Sequence, residues 1–554
     1  MIGYSCKYTP IELLAALGGQ PSLLDGEEPD FEQAEGLTHA NLCCHAKALI
    51  QQGAAQRELA LVDCCDSLRR SYDVLQYETR HSFLHLMDLP HEDGPCAKDR
   101  LKEELIRLAK AYGGYRGAAF QRDVFLQACQ SGAEALPDTP FLAVLGARVS
   151  PPLLGLIQEQ MALPVLNLTC SGNRNLEAPP PQAEALEFDE LMAWYAGALL
   201  RMVPCMRMAG VAGRRALTEH PQLKGIIYNT VKFCDFYGFD YASLKQQTTA
   251  PILKIESDYM PQPSGQLSTR LEAFSESLVP QASNGRNDMR DTAPPSGGLY
   301  AGIDSGSTTT NMVVLNAQKK ILATAIVRTG AKAQNGAQAA LEAVCEQLSV
   351  KPEAFAAILA TGYGRSNIPF ATDAKTEITC HARGAFFLNP GVRTIVDIGG
   401  QDSKVICLDE TGAVTNFIMN DKCAAGTGRF LEMMARTLEL DLPQMSRQGL
   451  TWKKDLTISS MCTVFAESEV ISLIADNHSD NDIIHGLNKS IAAKTASMVS
   501  RAKGQAPYMM TGGVARNKGV VKELESRLGQ PLLITENPDL CGALGAALFA
   551  LEEA

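Results

Sequence analysis

Gly302 to Asn311 reads GIDSGSTTTN, and Asp397 to Lys404 reads DIGGQDSK. Each is the end of an apolar strand, an aspartate, and a Gly/Ser/Thr turn after which the chain resumes as strand. Glycine there permits close backbone approach. Main-chain N–H groups and hydroxyls can cradle phosphate oxygens, and each aspartate can hold Mg2+ directly or through water. One Asp-Gly turn carries little weight, because hairpins use the same chemistry. Two such loops followed by YMMTGGVARNKGVVKELESRL at 508–528, a strand, a Gly-Gly turn and an amphipathic helix, read as a nucleotide site. No G-x-x-x-x-G-K-[ST] is present, so the site is not a P-loop. AGIDSGSTTTNMVVL and TIVDIGGQDSKVICL lie about 95 residues apart and point to an internal symmetry.

Upstream of the first loop, SLVPQASNGRNDMRDTAPPSGG (277–298) is rich in Pro, Gly, Ser, Asn and Asp and has no periodicity. It predicts a flexible linker at 277–297 between units at 1–276 and 298–554. A chain of 554 residues is too long for one core, which fits such a division. The net charge of −12 argues against nucleic acid or an anionic membrane as partner, since phosphate contact needs clustered Lys and Arg. No apolar run approaches the roughly 18–20 residues that span a bilayer. The start MIGYSCKYTPIELLAALGG lacks a signal-peptide pattern, so a cytoplasmic location is expected.

The first unit alternates short apolar runs with amphipathic stretches. LALVDCC (59–65), FLAVLGARV (141–149), LPVLNLTC (163–170) and LKGIIYNTV (223–231) read as strands, and DRLKEELIRLAKAYG (99–113) reads as a helix between them. This pattern predicts an α/β fold with a parallel sheet. Ligands of such sheets sit beyond the carboxyl ends of the strands. Cys64, Cys65, Cys170 and Cys234 fall at those ends.

The chain has 16 cysteines, ten of them in the first 297 residues. In a reducing compartment metal or redox use is the leading reading for the set, although any single cysteine is more often a small buried hydrophobe. In the second unit NDKCAAGTGRFLE (420–432) and SSMCTVFAESEVISLIA (459–475) each place one cysteine before a helical pattern. Unpaired N–H groups and the positive dipole end at a helix start favour a thiolate and suit an anionic cluster. Cys345, Cys380, Cys407 and Cys541 lie within element patterns and read as packing.

The order of loops resembles the actin/hexokinase-type ATPase superfamily, with two ribonuclease-H-like lobes clasping ATP. Asp304, Gly306, Ser307 and Thr308 match its first phosphate loop. Asp397, Gly399, Gly400, Gln401 and Asp402 match the second, with Gln401 and Asp402 as catalytic candidates. Gly512, Gly513 and Asn517 match the adenosine motif. Together with ATGYGR (360–365), EITCHARGA (377–385) and GALGAALFA (542–550), the second unit is similar to the activator component of 2-hydroxyacyl-CoA dehydratases and to benzoyl-CoA reductase ATPase subunits. That resemblance implies a homodimer sharing one 4Fe–4S cluster at its interface, with Cys423 and Cys462 on the two ligand positions of each chain.

The first unit, through GYSCKYTP, CCDSLRRSYDVL, LTCSGNR and VKFCDFYGFDY, resembles the 2-hydroxyacyl-CoA dehydratase subunit family and, within it, double-cubane-cluster proteins. The resemblance implies an iron–sulfur centre with candidate ligands Cys43, Cys64, Cys65, Cys170, Cys205 and Cys234. Cys96 competes for the last position, while Cys6, Cys44 and Cys129 read as non-ligands. Arg69, Arg70 and Arg174 could offset cluster charge, and Glu256 and Asp258 could serve as acid/base groups. The implied function is ATP-dependent, low-potential electron transfer from the interface cluster to the N-terminal centre. A ferredoxin or flavodoxin would be the donor, and a 2-hydroxyacyl-CoA or a small molecule the substrate. The rivals are an activator that primes a separate dehydratase and, further off, a sugar or acyl kinase of the same superfamily.

Overall fold

Strands β1 (Ile2–Tyr4), β2 (Pro21–Leu23), β3 (Glu58–Asp63) and β4 (Phe83–Asp88) form one parallel sheet in the order β2-β1-β3-β4. A second parallel sheet, β6-β5-β7-β8, is built from β5 (Phe141–Gly146), β6 (Val165–Asn167), β7 (Leu223–Val231) and β8 (Ile252–Ser257). β5 is buried along its whole length and β7 at all positions but one, as continuous apolar strands covered on both faces should be. The short strands β1 and β2 carry no readable period and are visible only through their pairing. This is a computed structural model, and it describes residues 1–39, 41–78, 80–131, 136–208, 212–261, 265–278, 298–420, 424–458 and 463–554. The chain divides into Met1–Leu278 and Val279–Ala554. Helix Gly265–Leu278 runs two residues into the stretch read as linker, and the rest of that stretch, 279–297, lies outside the described residues.

The second unit is one lobe written twice. In the first lobe β9 (Leu299–Ser305), β10 (Thr309–Leu315), β11 (Ile321–Arg328), β12 (Phe355–Thr361) and β13 (Asp373–Ala374) take the order β11-β10-β9-β12-β13. In the second, β14 (Thr394–Ile398), β15 (Ser403–Leu408), β16 (Val414–Asn420), β17 (Tyr508–Thr511) and β18 (Leu532–Leu533) take the order β16-β15-β14-β17-β18. Each lobe is an antiparallel three-strand meander with two parallel strands added on the other side of its first strand, as the predicted ribonuclease-H-like lobes require. The internal symmetry read from the two glycine loops is this duplication.

Helices Glu377–Leu388 and Cys541–Glu553 come backbone to backbone at two glycines. A Cβ on Gly545 would stand 1.8 Å from Cys380 O, and one on Gly384 would stand 2.2 Å from Cys541 O. A Cβ on Gly302 of β9 would meet Ala543 O at 2.1 Å. The glycines and alanines of EITCHARGA and GALGAALFA are thus what lets two helices and a strand touch backbone to backbone.

Candidate functional site

The duplication carries down to single atoms at the two loops. Asp304 ends β9 beside Asn311 and Thr361, and Asp397 ends β14 beside Lys404 and Thr511. Gly306 N–H donates to Thr309 O at 3.0 Å, and Gly399 N–H donates to Asp402 O at 3.0 Å, closing the same turn in each lobe. After Thr361 comes Gly362 at φ +83°, and after Thr511 comes Gly512 at φ +82°. A Cβ at Gly362 would stand 2.4 Å from Asp304 Oδ1, and one at Gly512 would stand 2.9 Å from Asp397 Oδ1. The loops themselves meet, since a Cβ on Gly400 would fall 2.1 Å from Thr308 Oγ1. That hydroxyl is buried and meets no partner among the described residues, as a group kept for a ligand would be.

Between the two aspartates sits His381, a residue the motif reading left without a role. Its Nε2 lies 3.8 Å from Asp304 Oδ2 and its Nδ1 lies 3.7 Å from Asp397 Oδ1. Thr511 Oγ1 donates to Asp397 Oδ1 at 2.9 Å. Buried Lys404 pairs with Asp402 (2.8 Å), Glu377 (3.3 Å) and Asp397 (3.4 Å). The two carboxyls therefore differ. Burial pushes Asp304 up to about 6. Burial would raise Asp397 too, but His381, Lys404 and Thr511 hold it below the usual value.

Gln401 is exposed at the loop tip, its side-chain amide against the Arg429 guanidinium. Asn517 accepts from Gly519 N and Val520 N, so it caps helix Lys518–Leu528 rather than facing outward. A cleft of about 480 Å3 opens beside it, walled by Leu450, Arg516, Lys518, Lys522 and Ile534. The second loop also holds a helix, for Gly428 N–H donates to Gly399 O at 2.8 Å and Arg429 N–H to Gly400 O at 2.9 Å. These two bonds dock helix Gly428–Thr437 on the loop. Cys423 and Cys462 lie outside the described residues.

In the first unit the cysteines converge. Cys6 follows β1, Cys64 and Cys65 follow β3, Cys170 follows β6 and Cys234 follows β7. Cys43, before helix Cys44–Ala54, completes a set of six lining one small cavity of about 30 Å3. Cys44 N–H donates to Lys232 O at 3.3 Å, which ties that helix to the end of β7. Cys205 is buried close behind, within reach of the charges of Cys6 and Lys7. Cys6, read as a non-ligand, lines the cavity, while Cys96 is exposed and Cys129 is buried away from it.

Three of the thiols are shifted toward the thiolate, Cys6 among them through a hydrogen bond with Cys64. Cys234 is lowered to about 6, first by a hydrogen bond from Cys43 and then by Tyr237 N–H and Arg207. Cys65 is lowered to about 7, first by Cys64 and then by Arg207. Burial pushes Cys170 up to about 12.

The cations at the cavity are not those the sequence suggested. Arg174 is bound to Glu12 at 2.7 and 3.0 Å, Arg69 to Asp63, and Arg70 to Asp73 and Asp66. Arg148 and Arg207 line the cavity instead, and neither Glu256 nor Asp258 does. Lys7 is fully buried behind it, with Nζ donating to Val203 O at 2.6 Å.

Among the described residues no three His, Cys, Asp or Glu side chains close on a point as a single ion would require. A polynuclear cluster takes one thiolate per iron, and six thiols gathered at one cavity supply donors of that kind. Six thiols beside Arg148 and Arg207, with no carboxylate among the described lining residues, fit an anionic iron–sulfur group.

Residues 301–550 match the BadF/BadG/BcrA/BcrD ATPase family, and residues 6–136 and 130–278 match the 2-hydroxyglutaryl-CoA dehydratase D-component. The activator of lactoyl-CoA dehydratase from Anaerotignum propionicum is 46% identical over 253 residues, which are 46% of this chain and 97% of that protein. The (R)-2-hydroxyglutaryl-CoA dehydratase activating ATPase of Acidaminococcus fermentans is 44% identical over 254 residues, 46% of this chain and 97% of that one. Among solved structures, the activator of the 2-hydroxyisocaproyl-CoA dehydratase from Clostridium difficile with bound ADPNP is 42% identical. It covers 46% of this chain and 95% of its own, with a TM-score of 0.45.

Proposed function

The chain belongs to the BadF/BadG/BcrA/BcrD ATPase family, and from that premise we propose an ATP-driven, electron-delivering activator carried on one chain with the iron–sulfur unit that it serves. The second unit binds and hydrolyses ATP. Asp304 and Asp397 would hold Mg2+, directly or through water. The Ser307 and Thr308 hydroxyls and the backbone at Gly306, Gly399 and Gly400 hold the phosphates, and the cleft beside Gly512, Gly513 and Arg516 takes the adenosine. Gln401, exposed at the loop tip, orients the attacking water, and Asp402 fixes the loop through Lys404. Cys423 and Cys462 from each of two chains would hold a shared 4Fe–4S cluster. Cys6, Cys43, Cys64, Cys65, Cys170 and Cys234, with Cys205 behind them, would hold the centre of the first unit. Iron–sulfur groups supply one-electron chemistry at a potential tuned by charge and hydrogen bonding.

The observation that carries the reading is the docking of helix Gly428–Thr437 on the second phosphate loop by the N–H groups of Gly428 and Arg429. Any shift of that loop on nucleotide exchange moves the helix that follows Cys423. Phe465, Ile471 and Ile474, exposed at 67%, 54% and 40% on helix Thr463–Ala475, support a partner surface just after Cys462. The donor is a ferredoxin or flavodoxin, and the substrate a 2-hydroxyacyl-CoA thioester or a small unsaturated molecule. A second reading, an activator that primes a separate dehydratase, is favoured by the relatives that the second unit alone nearly covers.

Iron and acid-labile sulfide counts on anaerobically reconstituted full-length chain test the proposal. Cys423→Ser is expected to lose the shared cluster, about half of one cluster per chain, while ATP binding persists. Cys6→Ser is expected to lose iron from the first unit only. An unchanged iron count in Cys423→Ser overturns the shared cluster, and an iron-free first unit leaves the priming activator.

A further inference from the structure

Arg148, two residues beyond β5, is 2% exposed, yet its Nε and Nη2 meet no hydrogen-bond partner among the described residues. It lines the thiol cavity, and among the described residues no Asp or Glu does. The other two cations there are engaged. Arg207 Nη2 donates to Cys234 Sγ at 3.6 Å and its guanidinium lies 3.8 Å from the centre of the Phe236 ring. Lys7 is spent on the Val203 carbonyl. Arg148 has only the face of Tyr259, 6.0 Å away, and its backbone oxygen accepts from Tyr259 Oη at 2.8 Å. The backbone is therefore pinned while the charged end is left open toward the thiols.

A buried cation without a counter-charge is costly, because no water compensates the lost hydration and the low local dielectric offers nothing in its place. The cavity itself names what is missing. It offers sulfur donors and positive charge, so its occupant is an anion ligated through sulfur. A guanidinium suits such a partner better than an ammonium, since it is weakly hydrated and presents several N–H groups in a fixed fork. Reduction adds negative charge to the occupant, so a neighbouring cation stabilises the reduced form more than the oxidised one and raises the midpoint potential.

We propose that Arg148 is the buried counter-charge of the thiolate-ligated iron–sulfur group of the first unit and sets its reduction potential. This rests on the reading that these thiols hold such a group. Arg148 is a positioning residue, acting on the potential and on retention of the group rather than on substrate.

The test uses full-length chain carrying Cys423→Ser, so that only the first unit contributes signal. Iron and sulfide per chain, and the midpoint potential by a redox titration followed by electron paramagnetic resonance, are measured with Arg148, Arg148→Met and Arg148→Lys. Arg148→Met is expected to shift the reduction equilibrium at least tenfold toward the oxidised form, which is 59 mV more negative for one electron. Arg148→Lys is expected to shift it by less. Loss of iron in Arg148→Met with unchanged far-UV circular dichroism, and retention in Arg148→Lys, also supports a counter-charge. A loaded Arg148→Met with an unshifted potential overturns the proposal, as does equal loss of iron from both variants. Where Arg148→Met does not fold, Arg148→Lys decides. Retained iron and a shift under tenfold support the proposal, and a larger shift or lost iron overturns it. If the chain with Arg148 intact carries no iron in this background, the cluster reading fails first and the inference with it.

Discussion

Asp482 shows how much one well-placed charge does far from the loops. Its Oδ1 accepts from Lys453 N–H at 2.7 Å and Lys454 N–H at 2.9 Å, in the first turn of helix Asp480–Ala502. These backbone donors, with Ser479, hold its carboxyl down at about 2. The unfolded value is near 3.9, so the fold binds the proton less tightly than the unfolded chain does. The stability it lends is fully present above about pH 4 and is lost as pH falls toward 2. Asp482→Ala is expected to lower the melting transition of the second unit by roughly 3 °C at pH 7. The gap should narrow as the pH is taken below 4, which calorimetric melts at pH 7 and pH 3 would read. A gap that is constant with pH would mean that the charge is not what matters. The same helix carries Lys494, whose Nζ donates to Ala425 O at 2.5 Å, two residues from Cys423.

At the scale of elements, the two hairpin turns and the helices around them decide what the site tolerates. Gly400 stands where a Cβ would lie 2.1 Å from Thr308 Oγ1, so the two loops touch only because one of them lacks a side chain. Gly400→Ala is expected to lower kcat/KM for ATP hydrolysis on the order of a hundredfold, because displacement of about 1 Å at a reacting centre costs that much. The melting temperature should barely change, and steady-state ATPase assays beside thermal melts separate the two effects. The turns were legible in the sequence because their chemistry is local: a strand, an aspartate and a glycine turn are contiguous. Cys64, Cys65, Cys170 and Cys234 were legible for a related reason, each trailing an apolar run that reads as a strand. Cys6 was not, since β1 is only Ile2–Tyr4 and three residues carry no period from which a strand end could be read. Arg148, Arg207 and His381 were not either. Their partners come from distant segments, and only the packed sheets and crossing helices bring them within reach.

For the molecule as a whole, the boundary after Leu278 separates two units, each with its own sheets and core. Limited proteolysis of the loaded chain is expected to cut first within 279–297, a stretch rich in Pro, Gly, Ser and Asn. It should leave two fragments that resist further digestion, as mass spectrometry of a time course would show. Early cuts inside either unit would speak against independent folding. The thiol cavity makes the first unit depend on what fills it. Empty, it leaves a guanidinium without a counter-charge in the interior, a cost of several kcal/mol against a total stability of about 5–15 kcal/mol for a domain. If that cavity holds the proposed iron–sulfur group, a chain made in an iron-starved cell would spend more time unfolded and be exposed to proteases, while a filled one would be protected by mass action. The amount of the protein in a cell would then be set after translation, by the supply of iron and sulfide, and a poorly supplied cell would remove its empty copies rather than store them.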